Sequence, residues 1–383
     1  MINRLLFREK NLQSPAAQNA DFVELFFDLV FVYAITNITA ATAHHFDVKH
    51  VMQSVLTFWL IWWGWTQFTW ALNAANTKIP GIRLVMLAAT AVAFVMASSA
   101  GQSFSEGVLW FALPYIIIRA IGLLLYIRVS SSLAEHHAAV ISFAIPSVLG
   151  LTAVLVGALV NPESRAMWWL AIILLDMVAA YIGGRAEGWN LHPSHFAERH
   201  GLIVIIALGE SLIVSASAVS ALELSAPVLL SGGLAVLITC LLWWSYFGWI
   251  FGHMEEHLAE KSGSKQASVA RDVYSLMHFP LICGIIGISV GFEHILQFPN
   301  DLLAKPTAYA FCGGYVLFIG FSALSVWRSS KEVLLSRLII LVLTIAAVPL
   351  TVGKPSYGIL GIIAISLLVL TLIEWKKIKG THA

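Results

Sequence analysis

The chain has 383 residues, 59% hydrophobic and 11% charged, with a formal net charge of +1 and a mean hydropathy of +0.83. Soluble domains carry about 25% charged residues, so the composition excludes an ordinary soluble globule and points to a polytopic membrane protein. The near-neutral balance leaves no electrostatic footprint for nucleic acid, and Cys240, Cys283 and Cys312 all fall in apolar runs, where they read as small core residues and not as a disulfide frame or a thiolate metal site.

In chain order, residues 1–21 form a polar tail with Arg4, Arg8 and Lys10. The first apolar run opens as FVELFFDLVFVYAI, Phe22 to Ile35, and is too long and too acidic for a signal peptide. A helix needs roughly 20 apolar residues to cross a bilayer. Windows of that size predict twelve spans near 22–42, 51–73, 82–101, 108–127, 139–160, 166–183, 201–221, 227–251, 274–296, 308–327, 333–350 and 357–375, with Pro349 and Pro355 interrupting the last pair or marking its turn. The fold class is all-α. Seventeen Lys and Arg residues, Arg199 and Arg337 among them, fall on the termini and even-numbered loops with their flanks. Four (Lys49, Arg165, Lys305 and Lys354) fall on the odd loops. The positive-inside rule then puts both termini in the cytosol.

Two stretches repeat. LIWWGWTQFTWALN (Leu60–Asn73) resembles LLWWSYFGWIFGH (Leu241–His253), and FVELFFDLVFVYAI resembles FAERHGLIVIIALGE (Phe196–Glu210), aligning Glu24 with Glu198. Tyr115 and Arg128 match Tyr315 and Arg328 at one offset. The expected organisation is a cytosolic tail 1–21, a six-helix repeat 22–185, a second six-helix repeat 186–375, and a tail 376–383. Six is an even number, so the tandem repeats lie parallel, about an axis along the membrane normal, with chemistry expected between them.

Charges at membrane depth mark the candidate site, since one at the bilayer centre costs at least ~2.5–3.5 kcal/mol. Glu24 and Asp28 are four apart and share a helix face. Arg119 lies nine residues from Arg128, about 13 Å by helical rise. Asp176 lies nine from Arg185, and Glu210 twelve from Glu198, about 18 Å. Arg119, Asp176 and Glu210 therefore share a level, with Asp28 somewhat below. One arginine against several carboxylates predicts an acid left unpaired and able to take a proton. The structural alternative is an Arg119 pinned by Asp176 or Asp28. His278, beside Pro280, suits a proton relay. The expected ion or substrate path is thus Asp28, Glu24, Glu198, Glu210, His278, Arg119 and Asp176. Trp59, Trp62, Trp63, Trp65 and Trp70 are too many for an interfacial belt, so some face inward.

Two clusters have metal-ligand spacing. His195 and Glu198 lie one turn apart, and HMEEH (His253–His257) has the H-x-x-E-H pattern, with His253 and His257 as ligands and Glu256 as base. A solvated interfacial helix end is the preferred reading of HMEEH over a metal site, and no phosphate loop, nucleotide fingerprint or nucleophile elbow is present.

FVELFFDLVFVYAIT, HFAERHGLIVIIALGES and HFPLICGIIGISVGFEH together resemble the bacterial low temperature requirement protein A family over about residues 20–370. The resemblance implies a bacterial inner-membrane location and carries the family's motif positions onto Glu24, Asp28, Glu198, Arg199, Gly209 and Glu210. It implies no mechanism. From the residues, the leading expectation is a transporter or channel for an ion or small solute, not an enzyme, with membrane lipids as surroundings and a homo-oligomer compatible with the pattern. The alternatives are an intramembrane metal-dependent enzyme acting on lipid-like substrates, and a membrane sensor or scaffold whose acids are structural.

Overall fold

The computed structural model describes residues 12, 19–130, 137–183, 191–351 and 353–381. Of the residues used above, Arg4, Arg8, Lys10 and Arg185 lie outside this set, as do most of the 1–21 tail and the last two residues. Fourteen α-helices account for nearly all of the described chain: α1 Phe22–His44, α2 Val48–Ala74, α3 Pro80–Ser98, α4 Leu109–Ser130, α5 His137–Leu159, α6 Pro162–Gly183, α7 Pro193–Ser220, α8 Ala226–Phe247, α9 Ile250–Ala259, α10 Gly263–Val269, α11 His278–Gln297, α12 Lys305–Ser330, α13 Leu335–Ala347 and α14 Tyr357–Thr381. A π-helical segment, Ala270–Met277, joins α10 to α11. No strand occurs among the described residues.

Among the described residues, nine helical runs are long and apolar enough to cross a membrane: α1, α3, α4, α6, α7, the α8–α9 run, the α10–α11 run, α12 and α14. The other three of the twelve windows are helical but fall outside that class for separate reasons. Helix α2 is long enough, yet it carries Thr57, Gln67, Thr69 and Asn73, all buried. A helix wrapped by protein need not be apolar all round, because its polar side chains find partners away from lipid. Helix α5 is apolar along its length, with only the Phe143–Leu159 side chains among those described, and the apolar run of α13 is Leu335–Thr351. There the α-helix stops at Ala347 and tightens into a 3-10 turn, Val348–Thr351, which contains Pro349. Proline has no N–H to donate and clashes with the preceding turn. Gly353, at φ 72°, then makes the left-handed turn toward α14.

The described residues divide into two compact units. The first draws on Met1–Ile38, Val48–His200 and Leu258–Ser275, the second on Thr39–Asp47, Gly201–His257 and Leu276–Ala383. In the first unit α2 packs on α4 and α6, α3 and α5 pack on α4, and α5 on α6. In the second, α8 packs on α14 and α11, α11 on α12, α12 on α13, and α13 on α14. The α11–α12 crossing is close because glycines meet. A Cβ on Gly314 would lie 2.5 Å from Gly284 O, and one on Gly284 would lie 2.7 Å from Gly314 O. Small residues let helix backbones approach and gain dispersion contacts where lipid supplies no hydrophobic drive.

Candidate functional site

The first unit contains a two-rung ladder between α1 and α7. Glu24 and Asp28 lie one turn apart on α1, and His195 and Arg199 lie one turn apart on α7. On the first rung, His195 Nε2 stands 3.2 Å from Glu24 Oε1 and 3.1 Å from Oε2. On the second, Arg199 grips Asp28 with a fork, Nε to Oδ2 at 3.1 Å and Nη2 to Oδ1 at 2.6 Å. Arg199 Nη1 donates to Glu24 Oε2 at 2.6 Å and ties the rungs together. Trp65 of α2 donates its indole N–H to Asp28 Oδ1 at 2.8 Å, and its ring lies under the Arg199 guanidinium. The four side chains are between 0 and 1% exposed, so every one of these bonds is out of water. Rungs that pair in the same numerical order require α1 and the first turns of α7 to run in the same direction.

Two features outside the rungs hold the ladder. Glu24 Oε1 accepts the backbone N–H of Asp21 at 3.1 Å, which caps the start of α1. Glu198 points away from the ladder and accepts the N–H of Ala20 at 3.0 Å. Helical geometry explains the separation, since adjacent residues differ by about 100° in direction, so Arg199 shares a face with His195 and not with Glu198. At the far side, Asn73 of α2 reaches His195 Nδ1 at 3.0 Å and bonds the backbone of His192. Burial holds the His192 imidazole below its ordinary value, which favours its neutral form.

A second buried pair lies elsewhere in the same unit. Arg119 Nη2 and Nη1 reach Asp176 Oδ1 and Oδ2 at 3.0 and 3.4 Å, and Nη1 donates to Tyr115 Oη at 2.6 Å. Of the two partners expected for Arg119, Asp176 is the one observed. Asp28, the other partner expected for Arg119, is paired instead with Arg199, counted above as a cytosolic flank charge.

The second unit holds Glu210 and His278 apart from the ladder residues. Glu210 is buried in the later part of α7, and beside it Ser211 bonds Ser289 of α11 at 2.6 Å. His278 Nε2 bonds Tyr246 Oη at 2.6 Å. The same unit buries an ion pair the sequence reading missed. Arg337 of α13 meets Glu374 of α14 at 2.7 and 2.9 Å, and also bonds Ser322 Oγ, Ser245 O and Ser245 Oγ. Arg337 is fully buried, so it too leaves the set of cytosolic flank charges, and Arg165, bonded to Gly157 O and Ser105 O, leaves the opposite one. The charge asymmetry between the two sets of loops survives these removals.

The predicted metal ligands do not assemble. His195 is engaged by Glu24 and Asn73 while Glu198 bonds Ala20. His257 Nδ1 bonds the carbonyl of His253 one turn back, and His253 stands 3.7 Å from Glu332. Glu256, the expected base, is exposed. Among the described residues, no group of three or more His, Cys, Asp or Glu side chains is placed to hold a metal ion. The tryptophans do turn inward. Trp62 and Trp65 are buried, Trp62 donates to Ser275 O at 2.8 Å, and Trp70 to Ser275 Oγ at 3.0 Å.

The family model of the bacterial low temperature requirement A protein (LtrA) matches residues 19–372, which takes in the ladder, the Arg119–Asp176 pair and Arg337, and ends two residues before its partner Glu374. The chain belongs to the LtrA family. An uncharacterised protein of Rhizobium meliloti (strain 1021) is 27% identical over 378 residues, covering 94% of this chain and 90% of that relative. No solved structure matches the chain. With nine helices fit to cross a membrane among the described residues, this LtrA protein is a polytopic membrane protein.

Proposed function

We propose that this LtrA protein is an inner-membrane transporter or channel for an ion or small solute, with both termini cytosolic, and that the ladder of Glu24, Asp28, His195 and Arg199 handles the ion. One observation carries the reading. Two carboxylates face one guanidinium in a place with no water contact. Buried charges persist when paired, and one arginine and one acid already make a balanced pair, as Arg119 and Asp176 do. The extra carboxylate adds desolvation cost beyond what charge balance with Arg199 requires, and it is the arrangement a site needs in order to take up and release a positive charge.

The reading includes the tandem repeat. In each half the second helix packs on the sixth, the third on the fourth, the fourth on the fifth and the fifth on the sixth, taking α7, α8, α11, α12, α13 and α14 as the second set. The parallel run of α1 and the start of α7 agrees with two halves of like orientation. The Trp-Trp match is weaker support, since Trp62 and Trp63 are buried while Trp243 and Trp244 are exposed. Glu210 and His278, both buried, and the half-buried Glu198 remain proposed as ion-handling residues. A metal-dependent enzyme has no support among the described side chains, and nothing specific favours a sensor.

The test is flux in proteoliposomes with an imposed pH gradient, using monovalent cations and small organic anions as trial solutes. Glu24→Gln is expected to remove the pH dependence of any flux. A flux whose pH profile is unchanged by Glu24→Gln, by Asp28→Asn and by both together would remove the ladder from the path.

A further inference from the structure

Asn73 fixes the protonation state of His195. The backbone N–H of His192 donates to Asn73 Oδ1 at 2.8 Å, and Asn73 Nδ2 donates to the carbonyl of His192 at 3.0 Å. Turning the amide over would set N–H against N–H and C=O against C=O, so these two bonds decide which end is nitrogen. Nδ2 is then 3.0 Å from His195 Nδ1. Nδ2 is a donor, so Nδ1 accepts, and the imidazole proton sits on Nε2, directed at Glu24. In this arrangement His195 is neutral.

The charge count follows. Asp28 accepts three N–H donors, two from Arg199 and one from Trp65, the donor set that an ionised carboxylate takes. Glu24 accepts from Arg199, His195 and the Asp21 amide. With Arg199 the cluster carries one negative charge in excess. Among the described residues, Asp21, Glu198 and His192 do not supply the missing charge. Asp21 pairs with Arg83 through its side chain, Glu198 is tied to Ala20, and burial favours the neutral form of His192.

A second proton, on Nδ1, cancels the excess and leaves the Nε2–H on Glu24. It also puts two donors face to face at the Asn73 contact. The clash is relieved when Asn73 turns its Oδ1 to the imidazolium, and that turn breaks both bonds to the His192 backbone. Charge balance draws the proton in, and the amide resists it.

We propose that His195 is the proton-binding site of the cluster and that Asn73 ties its occupancy to release of the backbone at His192, just ahead of α7. No bond between heavy atoms changes: a hydronium O–H breaks as Nδ1–H forms, leaving water, and the reverse step returns the proton. The proposal deepens the ion-handling reading of the ladder and rests on it for its purpose.

The experiment is a pH titration of the full chain in lipid nanodiscs, labelled with ¹⁵N-histidine, over about pH 5 to 8, where imidazole changes charge. The His195 signals are assigned by their loss in His195→Gln. Hydrogen exchange of the peptide containing His192 is followed in parallel. The expected result is an Nε2–H neutral tautomer at the alkaline end, an imidazolium at the acid end, and exchange at His192 rising about tenfold with the same midpoint, as two hydrogen bonds are lost. Asn73→Asp, which offers Nδ1–H an acceptor in the same place, is expected to raise the midpoint by about one pH unit or more. An Nδ1–H neutral tautomer overturns the proposal. So does a His195 that keeps one charge state throughout in both proteins, or protonation with no change in exchange at His192. The wild-type spectra need no variant to fold, and no readout involves flux. A titrating His195 in a protein without transport sinks the transport reading alone, and flux with a non-titrating His195 sinks this site alone.

Discussion

Arg199 and Arg337 are both fully buried arginines on helices, and each donates from all three of its guanidinium nitrogens. Their partners differ. Arg337 meets one carboxylate, Glu374, and fills its remaining donors with the Ser322 hydroxyl and the carbonyl and hydroxyl of Ser245. Arg199 meets two carboxylates, one of which also faces a histidine. Arg337 shows what a buried guanidinium needs: one charge partner and neutral acceptors for the rest. By that standard the second acid at Arg199 is surplus. The Arg337 site can be complete as structure, and the Arg199 site needs a further role for its extra charge.

The strongest way to break this comparison is at Arg337. Glu374→Gln leaves a buried cation without its counter-ion, and the expected loss is about 3–5 kcal/mol of stability. Arg337→Met alone is expected to cost a similar amount. The double change to Arg337→Met with Glu374→Met removes both charges together, and its expected cost is much smaller, because apolar side chains of similar volume often replace a buried pair without loss. Denaturant or thermal unfolding in one detergent checks all three. A double variant as unstable as either single one would mean the site does more than pair charges, and the contrast with Arg199 would lose its reference.

A gentler way to sharpen the comparison is Asp28→Asn. The amide keeps an acceptor for one arm of the Arg199 fork and for Trp65 but turns a donor toward the other arm. A charge-assisted bond is lost while Glu24 still balances Arg199. The expected cost is about 1.5–3 kcal/mol, below that of Glu374→Gln, read in the same unfolding assay. An equal or larger cost would show that Asp28 alone is the structural partner and that Glu24 does not compensate.

The legibility of these sites in the sequence follows from what helical spacing can and cannot report. Spacing gives depth, and depth placed Arg119 level with Asp176, which do pair. It gives the shared face of Glu24 and Asp28. It does not give the rotation of one helix against another, and that rotation decides partners. Arg199 sits between Glu198 and His200, where three polar residues look like a solvated helix start. The signal that finds it is the i, i+4 match of His195 with Arg199, set against the same spacing of Glu24 with Asp28. Arg337 and Glu374 lie near lysines at the ends of apolar runs and read as interfacial for the same reason. A charge count over loops cannot separate an arginine reaching water from one folded inward. Asn73 carries no motif at all. Its role depends on a backbone 119 residues further along the chain, His192, and only three-dimensional placement brings the two together.

The smallest expected effect is the sharpest. Glu24→Gln removes the charge counted as surplus. Gln retains a carbonyl oxygen for one of the donors now shared by Arg199, His195 and the Asp21 amide, and Asp28 still balances Arg199 through its fork. Lost hydrogen bonds oppose the relief of excess negative charge in a buried place, and the net change in unfolding free energy is expected to stay within about 1 kcal/mol. The same substitution takes away the anion that a His195 imidazolium would face, so the pH dependence of flux is expected to vanish while the protein stays folded. A loss near that of Glu374→Gln would instead make Glu24 a structural counter-ion. Arg199 would then need both acids, and the difference between the two arginine sites would carry no functional meaning.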